Sequence, residues 1–259
     1  MTVLRIVIYN IHKGKSVSGR DSLAALRVNL HTLNPDIMFL QEVQGRNEKN
    51  SNLHAQHESL AAALQMQVAY EPNAVRVQTH HGNALLAKYP IIEFENQDIS
   101  DHGLEQRGLL HGILDIKGAR VHCVVVHLGL FAASRIRQID LLCERIERLV
   151  PKQEPLLVAG DFNDWKDELA PLFVDALGLS EVFAQSSRQL KSAMKMPELS
   201  SEVAKLKPSP RTFPAAFPLL PLDRIYQRGF AVKSAKVLKG RPWTQLSDHA
   251  PIVAELELP

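Results

Sequence analysis

Polar clusters that could bind a metal ion, activate water and hold a phosphate recur along the chain. They centre on Asn10, Glu42, His127, Asp161 with Asn163, Asp223, and Asp248 with His249. Carboxylate and amide oxygens suit a hard divalent cation, a carboxylate or imidazole can take a proton from water, and amides and imidazoles can neutralise phosphoryl oxygens. Taken singly, each cluster has an ordinary structural explanation. Glu42 fits a surface carboxylate at a strand end, Asp161 and Asn163 an Asx turn, and His127 a histidine at a sheet edge. Residues 248–251 fit a plain turn. What the clusters share is position, because each adjoins an apolar run.

Those runs define the elements. Residues 3–9 predict a strand that passes into Asn10-Ile11-His12; 37–40 predict a buried strand ending at Gln41-Glu42. Residues 121–127 end at His127, and 156–159 end at Gly160-Asp161-Phe162-Asn163. Residues 222–226 carry Asp223, and 251–258 follow Ser247-Asp248-His249. Further strands are expected over 82–87, 91–94 and 109–116. Continuously apolar stretches such as 37–40, 121–126 and 156–159 mark strands buried on both faces. Helices are expected over 22–33, with Leu23, Leu26, Leu30 and Leu33 at helical spacing, and over 53–64. A third is expected over 132–149, where Ile136, Ile139, Leu142, Ile146 and Leu149 form a stripe opposite arginines read as a solvated face. Residues 186–210 are polar, basic and proline-bounded, and are expected to form a mobile loop. No linker or low-complexity tract divides the chain, so a single domain over 1–259 is expected. If neighbouring strands project their ends alike, the polar clusters meet in one cleft.

Composition narrows the chemistry. The 259 residues are 45% hydrophobic and 22% charged, enough to bury roughly three quarters of the unfolded surface without a staple. A bound metal is therefore expected to serve chemistry and not folding. Lys and Arg number 30 against 28 Asp and Glu, a balance unlike that of an obligate nucleic-acid binder but open to a local basic patch and to a nuclease acting on short or damaged strands. Cys123 and Cys143 are expected to be reduced packing residues in a cytoplasmic protein. No apolar run reaches the length of a transmembrane segment.

Tyr9-Asn10-Ile11-His12, Leu40-Gln41-Glu42-Val43, His81-Gly82-Asn83-Ala84, His127-Leu128-Gly129-Leu130, Gly160-Asp161-Phe162-Asn163-Asp164, Leu222-Asp223-Arg224-Ile225 and Ser247-Asp248-His249-Ala250-Pro251 stand in this order. The series resembles the motifs of the endonuclease/exonuclease/phosphatase superfamily, the DNase I-like proteins, over residues 3–258. The forms at 10–14, 80–86 and 211–214 are similar to a bacterial subgroup. The resemblance implies a four-layer α/β sandwich, two mixed sheets packed face to face with helices outside. It implies a hydrolase using Mg²⁺ or Mn²⁺ to attack a phosphodiester with water, the substrate being nucleic acid or a phospholipid-type lipid. A phosphomonoesterase acting on a small molecule and an inactive binding module of the same fold are the alternatives. That every matched reactive position is retained favours activity.

Roles follow from the same resemblance. Glu42 is the implied principal metal ligand, with Asn10 beside it and Asp248 a further contact. His249 is the implied catalytic histidine, oriented by Asp223. Asp161 positions or deprotonates water, while Asn163 and His127 donate to phosphate oxygens. The general base is left between Asp161 and His249. Asn83, Arg107 and His12, with its neighbour Lys13, are candidate substrate contacts.

Overall fold

Side-chain alternation along the first strand sets the architecture. In β1 (Thr2–Asn10), Leu4, Ile6 and Ile8 face one way, Val7 and Tyr9 the other, and all are buried. A strand apolar on both faces needs a layer on each side. The computed structural model describes residues 1–103, 105–185 and 210–259. After β1 come α1 (Leu23–Leu33), β2 (Ile37–Asn47), α2 (Gln56–Leu64), β3 (Gln67–Val75), β4 (Thr79–Ala87), β5 (Ile91–Asp98), β6 (Gly108–Ile116) and β7 (Ala119–His127). Then follow α3 (Ala132–Leu149), β8 (Leu156–Asp161), α4 (Ala170–Leu177), β9 (Ser180–Glu181), β10 (Asp223–Arg228), β11 (Ala231–Val237) and β12 (Ile252–Leu258).

The strands form two six-stranded sheets, ordered β11-β12-β1-β2-β4-β3 and β5-β6-β7-β8-β10-β9. Both are mixed, because β1 pairs β2 and β7 pairs β8 in parallel while neighbouring pairs are antiparallel. Ile6, Ile8, Phe39, Leu85, Val125 and Ile225 fill the space between the sheets. On the outer face of the first sheet, Val7, Met38 and Leu86 pack under Leu26, Leu30 and Leu60 of α1 and α2. On the outer face of the second, Val124, Val158 and Tyr226 pack under Ile139, Leu142 and Phe173 of α3 and α4. At about 1.5–3 kcal/mol for each large apolar side chain fully buried, these three layers of contact dominate the folding energy. The fold is the expected four-layer sandwich.

Several elements differ from the expectation. The edge strands β3 and β11 carry Glu71, Pro72, Lys233, Ser234 and Lys236, and an edge accepts a proline, which has no N–H to give the ladder, and exposed charged side chains. Their periodicity is accordingly weak. The helix expected over 53–64 starts at Gln56, since Ala55 takes a left-handed conformation after a 3-10 turn at Ser51–Leu53. The buried stripe of α3 runs through Arg135, Gln138, Ile139, Leu142, Arg145 and Ile146, leaving Ile136 exposed. Two of its arginines are therefore inside and not on a solvated face: their stems cover apolar surface while their heads find partners. Arg145 donates to Glu95 at 2.7 Å, and Arg135 donates to the Leu130 carbonyl at 2.7 Å and lies over the Trp165 ring. The loop expected over 186–210 lies, apart from Pro210, outside the described residues. Cys123 and Cys143 are free thiols. Among the described residues no helix is long and apolar enough to cross a membrane.

Gly160 shows how closely β7 and β8 approach. A Cβ there would sit 2.0 Å from the Val126 carbonyl oxygen and 3.1 Å from Gln41 Nε2. Gly160→Ala is expected to lower the unfolding free energy by about 3 kcal/mol, the upper part of the usual overpacking range. Urea titration would measure it, and an unchanged midpoint would mean the strands are not packed this tightly.

Candidate active site

Strand register brings the polar ends level. His127 ends β7 opposite Asp161 on β8, and Asp161 stands opposite Asp223 on β10. In the other sheet Asn10 ends β1 beside Gln41 of β2, and the 247–249 turn leads into β12, the antiparallel neighbour of β1. The two rims meet at Asp161. Its Oδ2 accepts a hydrogen bond from Asn10 Nδ2 at 3.1 Å and lies 3.6 Å from His249 Nε2 and 3.7 Å from His127 Nε2. Its Oδ1 accepts the Asn163 backbone N–H at 3.0 Å. The far nitrogen of His249, Nδ1, is 2.9 Å from Asp223 Oδ2. The Asp223 N–H donates to Thr212 Oγ1 at 3.3 Å. Ser247 Oγ donates to the Asn10 carbonyl at 2.7 Å and accepts the His249 N–H at 3.2 Å, tying the turn to the end of β1.

Burial and neighbouring charge split the two histidines. Burial works against a charged His249, but Asp223 and Asp161, with the Asp223 hydrogen bond, outweigh it and raise the pKa to about 10. His127 is driven the other way, down to about 4, by burial and by Arg107 despite the pull of Asp161. At neutral pH one imidazole facing Asp161 is charged and the other neutral. Burial raises the Asp161 carboxyl above the usual range; His249 opposes the shift and Asp223 adds to it.

Glu42 reaches the site through an irregularity. It lies where the β2–β4 register shifts between Leu40 and Val43, and its φ is 55°. A bulge re-aims the side chain out of the ladder, and holding a non-glycine residue at positive φ costs about 1–3 kcal/mol. Burial pushes the Glu42 carboxyl up, but His127, Lys13 and the Lys13 hydrogen bond more than reverse this, to about 2. The His12 N–H donates to Asn10 Oδ1 at 3.1 Å, and His12 Nδ1 is 3.8 Å from Asp248 Oδ1.

Two donor sets are candidates for a cation: the one that the structure gathers, and Glu42, Asn10 and Asp248, the one expected from the sequence. Ligand atoms of Asp161, Asp223 and His249 lie within 4.8 Å of one another. A charged imidazole, however, has no lone pair to give a metal, and its Nδ1 already faces Asp223. Glu42, Asn10 and Asp248 offer only oxygen, and Glu42 is an ionised carboxylate already turned to an ammonium group. That chemistry fits Mg²⁺ or Mn²⁺.

The expected substrate contacts sit differently. Asn83, Arg107 and His81 line a cleft with Glu42 and His127. The Asn83 amide donates to the carbonyls of Gly108 (2.8 Å) and Val125 (3.4 Å), bridging the sheets, and its buried oxygen has no partner among the described residues. Asn163 Nδ2 and Arg107 Nε both donate to the Leu128 carbonyl, at 2.8 and 3.1 Å. Sequence reasoning assigned no role to Ser247, Thr212 or Gln41, whose buried amide has no partner among the described residues. Ser247 and Gln41 stood beside assigned residues, and Thr212 lay in the 211–214 form noted for its resemblance but given no role.

The sequence model of the Endonuclease/Exonuclease/phosphatase family matches residues 7–249. The uncharacterized protein YbhP of Escherichia coli strain K12 is 40% identical over 265 residues, covering 98% of this chain and 96% of its own. An endonuclease/exonuclease/phosphatase from Beutenbergia cavernae superposes with a TM-score of 0.74 at 16% identity, covering 100% of this chain and 72% of that one. D. rerio TDP2 complexed with single strand DNA product superposes at 0.70 and 18% identity, covering 99% and 100%. At these identities the solved structures establish the fold alone.

The electrostatics can be read directly. In metal-free protein the His249 ring is expected to stay protonated through pH 8 in imidazole NMR spectra and to titrate near pH 10. Asp223→Asn should lower that titration. A wild-type ring that titrates near the ordinary histidine value, about 6.5, would sink the charge assignment.

Proposed function

The chain belongs to the Endonuclease/Exonuclease/phosphatase family, a family of hydrolases, and on that premise we propose that it is a Mg²⁺- or Mn²⁺-dependent phosphodiesterase whose catalytic domain spans 1–259. The supporting observation is the setting of Asp161, a buried carboxylate between a charged His249 and a neutral His127. Glu42, Asn10 and Asp248 would hold the cation, which supplies Lewis-acid polarisation of a phosphoryl oxygen. Asp161 orients the attacking water and takes its proton, since burial and Asp223 favour the protonated carboxyl. His249, whose charged form Asp223 and Asp161 favour, is assigned the cationic part and not that of the base: it neutralises the phosphoryl oxygens and holds a proton for the departing oxygen. Asp223 fixes the ring and stabilises that charge. His127 and Asn163 donate to the remaining oxygens.

A diester is favoured over a monoester because the cleft continues past Arg107 into a further pocket, with room for a second ester arm. The DNA product bound to D. rerio TDP2 supports a nucleic-acid source for that diester; the near balance of 30 basic and 28 acidic residues is equally suited to a phospholipid-type source. The 40% identity to YbhP supports the bacterial subgroup, and the free thiols a cytoplasmic setting.

EDTA is expected to abolish hydrolysis of bis(p-nitrophenyl) phosphate, with Mg²⁺ or Mn²⁺ restoring it and the melting temperature hardly moving. Full activity in chelator would overturn the metal assignment. His249→Ala should lower kcat by about 10²–10⁴-fold and Asp223→Asn by less. Because the two act as one unit, the double variant should be little worse than His249→Ala alone. Penalties that multiply would show that the residues work independently.

A further inference from the structure

Beyond Arg107 the cleft opens into a cavity of about 210 Å³ lined by Arg76, His81, His102, Arg107, Leu130 and Phe131. His81 and Arg107 belong to both spaces, so a molecule at the reaction centre reaches this pocket directly. Its lining carries two guanidinium groups against a single carboxylate, Glu105, and so is net positive. Elsewhere the guanidinium groups of Arg137, Arg145 and Arg224 face Asp101, Glu95 and Asp167. Among the described residues neither Arg76 nor Arg107 has a carboxylate partner, and the exposed Arg76 side chain makes no hydrogen bond. The Arg76 backbone is nevertheless fixed, its carbonyl accepting Arg46 Nη2 at 3.0 Å. The one carboxylate in the lining, Glu105, is engaged elsewhere: its Oε2 accepts Gln138 Nε2 at 2.6 Å.

The opposite lip is apolar and held in place. Leu130 and Phe131 are 57% and 65% exposed, although their backbone is anchored. Arg135 donates to the Leu130 carbonyl, and Gln138 Oε1 accepts the Gly129 N–H at 2.8 Å. Gly129 itself lets Glu105 approach, since a Cβ there would lie 2.0 Å from Glu105 Oε1. Gln138 thus couples both loops that frame the pocket. The Phe131 ring stands 6.0 Å from that of His102. Two guanidinium groups without a carboxylate partner among the described residues, that of Arg107 tied only to the Leu128 and Gln106 carbonyls, share the pocket with an apolar lip, an arrangement that selects an anion attached to an apolar group.

We propose that this pocket binds a second phosphate of the substrate, carried one ester arm away from the phosphorus that is attacked, with the apolar part of that arm on Leu130 and Phe131. The proposal rests on the phosphodiesterase reading for its geometry, but its ligand can be tested without turnover. Arg76, which lies outside the reaction centre, supplies the discriminating charge.

The test measures equilibrium binding to His249→Ala protein in Mg²⁺, by calorimetry, with two matched pairs of probes. One pair is thymidine dinucleotide with and without a 5′-phosphate; the other is monomeric dihexanoyl phosphatidylglycerol with and without a terminal phosphate. In at least one pair the extra phosphate is expected to tighten binding about tenfold or more, the worth of a charge-assisted hydrogen bond. Which pair responds identifies the source. Adding Arg76→Gln should erase that preference, Arg76→Lys should keep part of it, and Phe131→Ala should weaken both members of the responding pair. Unchanged melting of the Arg76 variants would exclude loss of fold. Preferences below about twofold in both pairs, binding of neither pair, or a preference that survives Arg76→Gln would each overturn the subsite. Should wild-type protein hydrolyse none of the probes while the Arg76-dependent preference persists, the catalytic reading fails and the subsite stands.

Discussion

A carboxylate taken out of water has to be compensated on every side, and the compensation of Asp161 organises this molecule. Its two oxygens draw an amide from β1 of one sheet, a backbone N–H from the turn after β8, and two imidazoles from either side of the sandwich. With Asp223 directly opposite in the β8–β10 ladder, two acidic groups share one buried rim. Like charges so placed need either a shared proton or a cation close by, and His249 provides the cation. The high proton affinity of that ring follows from how the sheets are closed, independently of any chemistry it performs.

Local conformation around this centre runs against backbone preference. His12, Lys13, Glu42 and Asn163 all have positive φ without being glycine, which is costly and persists only where the surroundings over-determine it. Here the surroundings are two sheets with apolar residues on both faces. The strained residues are the ones that turn a carboxylate, an ammonium group and an amide inward. A regular ladder would have sent the Glu42 side chain along the ordinary alternation of β2 and away from Lys13.

Much of this was legible in the sequence because central strands advertise themselves. β1, β7 and β8 are continuous apolar runs, and the polar residues just beyond them are the ones that meet at Asp161. Periodicity failed where packing is one-sided: it marks no element at β3 and β11, at the sheet edges, with Pro72 or lysines in them. It also misplaced the arginines of α3, because long cationic stems can occupy a buried stripe that counting assigns to isoleucine. The φ of Glu42 left no local trace, since the bulge arises from pairing with β4. Asn83 was recognised as lying near the cleft, but its spending of both donors on carbonyls of the opposite sheet depends on how the sheets face each other, which a single sequence does not encode. Arg76 carried no signal at all; it becomes conspicuous only once its side chain is found lining the pocket with no carboxylate partner among the described residues.

The pairing of β12 with β1 joins residues from opposite ends of the stretch described, Thr2 with Leu258 and Ile8 with Ile252. During synthesis Asn10, Glu42, His127 and Asp161 leave the ribosome early, and Asp223 follows. The imidazole that makes Asp161 and Asp223 compatible comes only with residues 247–249, and the strand that docks it comes later still. Until then the rim holds two facing carboxylates with no cation between them, and β1 lacks a neighbour on its outer side. Docking of β12 on β1 and completion of the Asp161–His249–Asp223 array are therefore one event: closing the sheet delivers the charge that the rim requires.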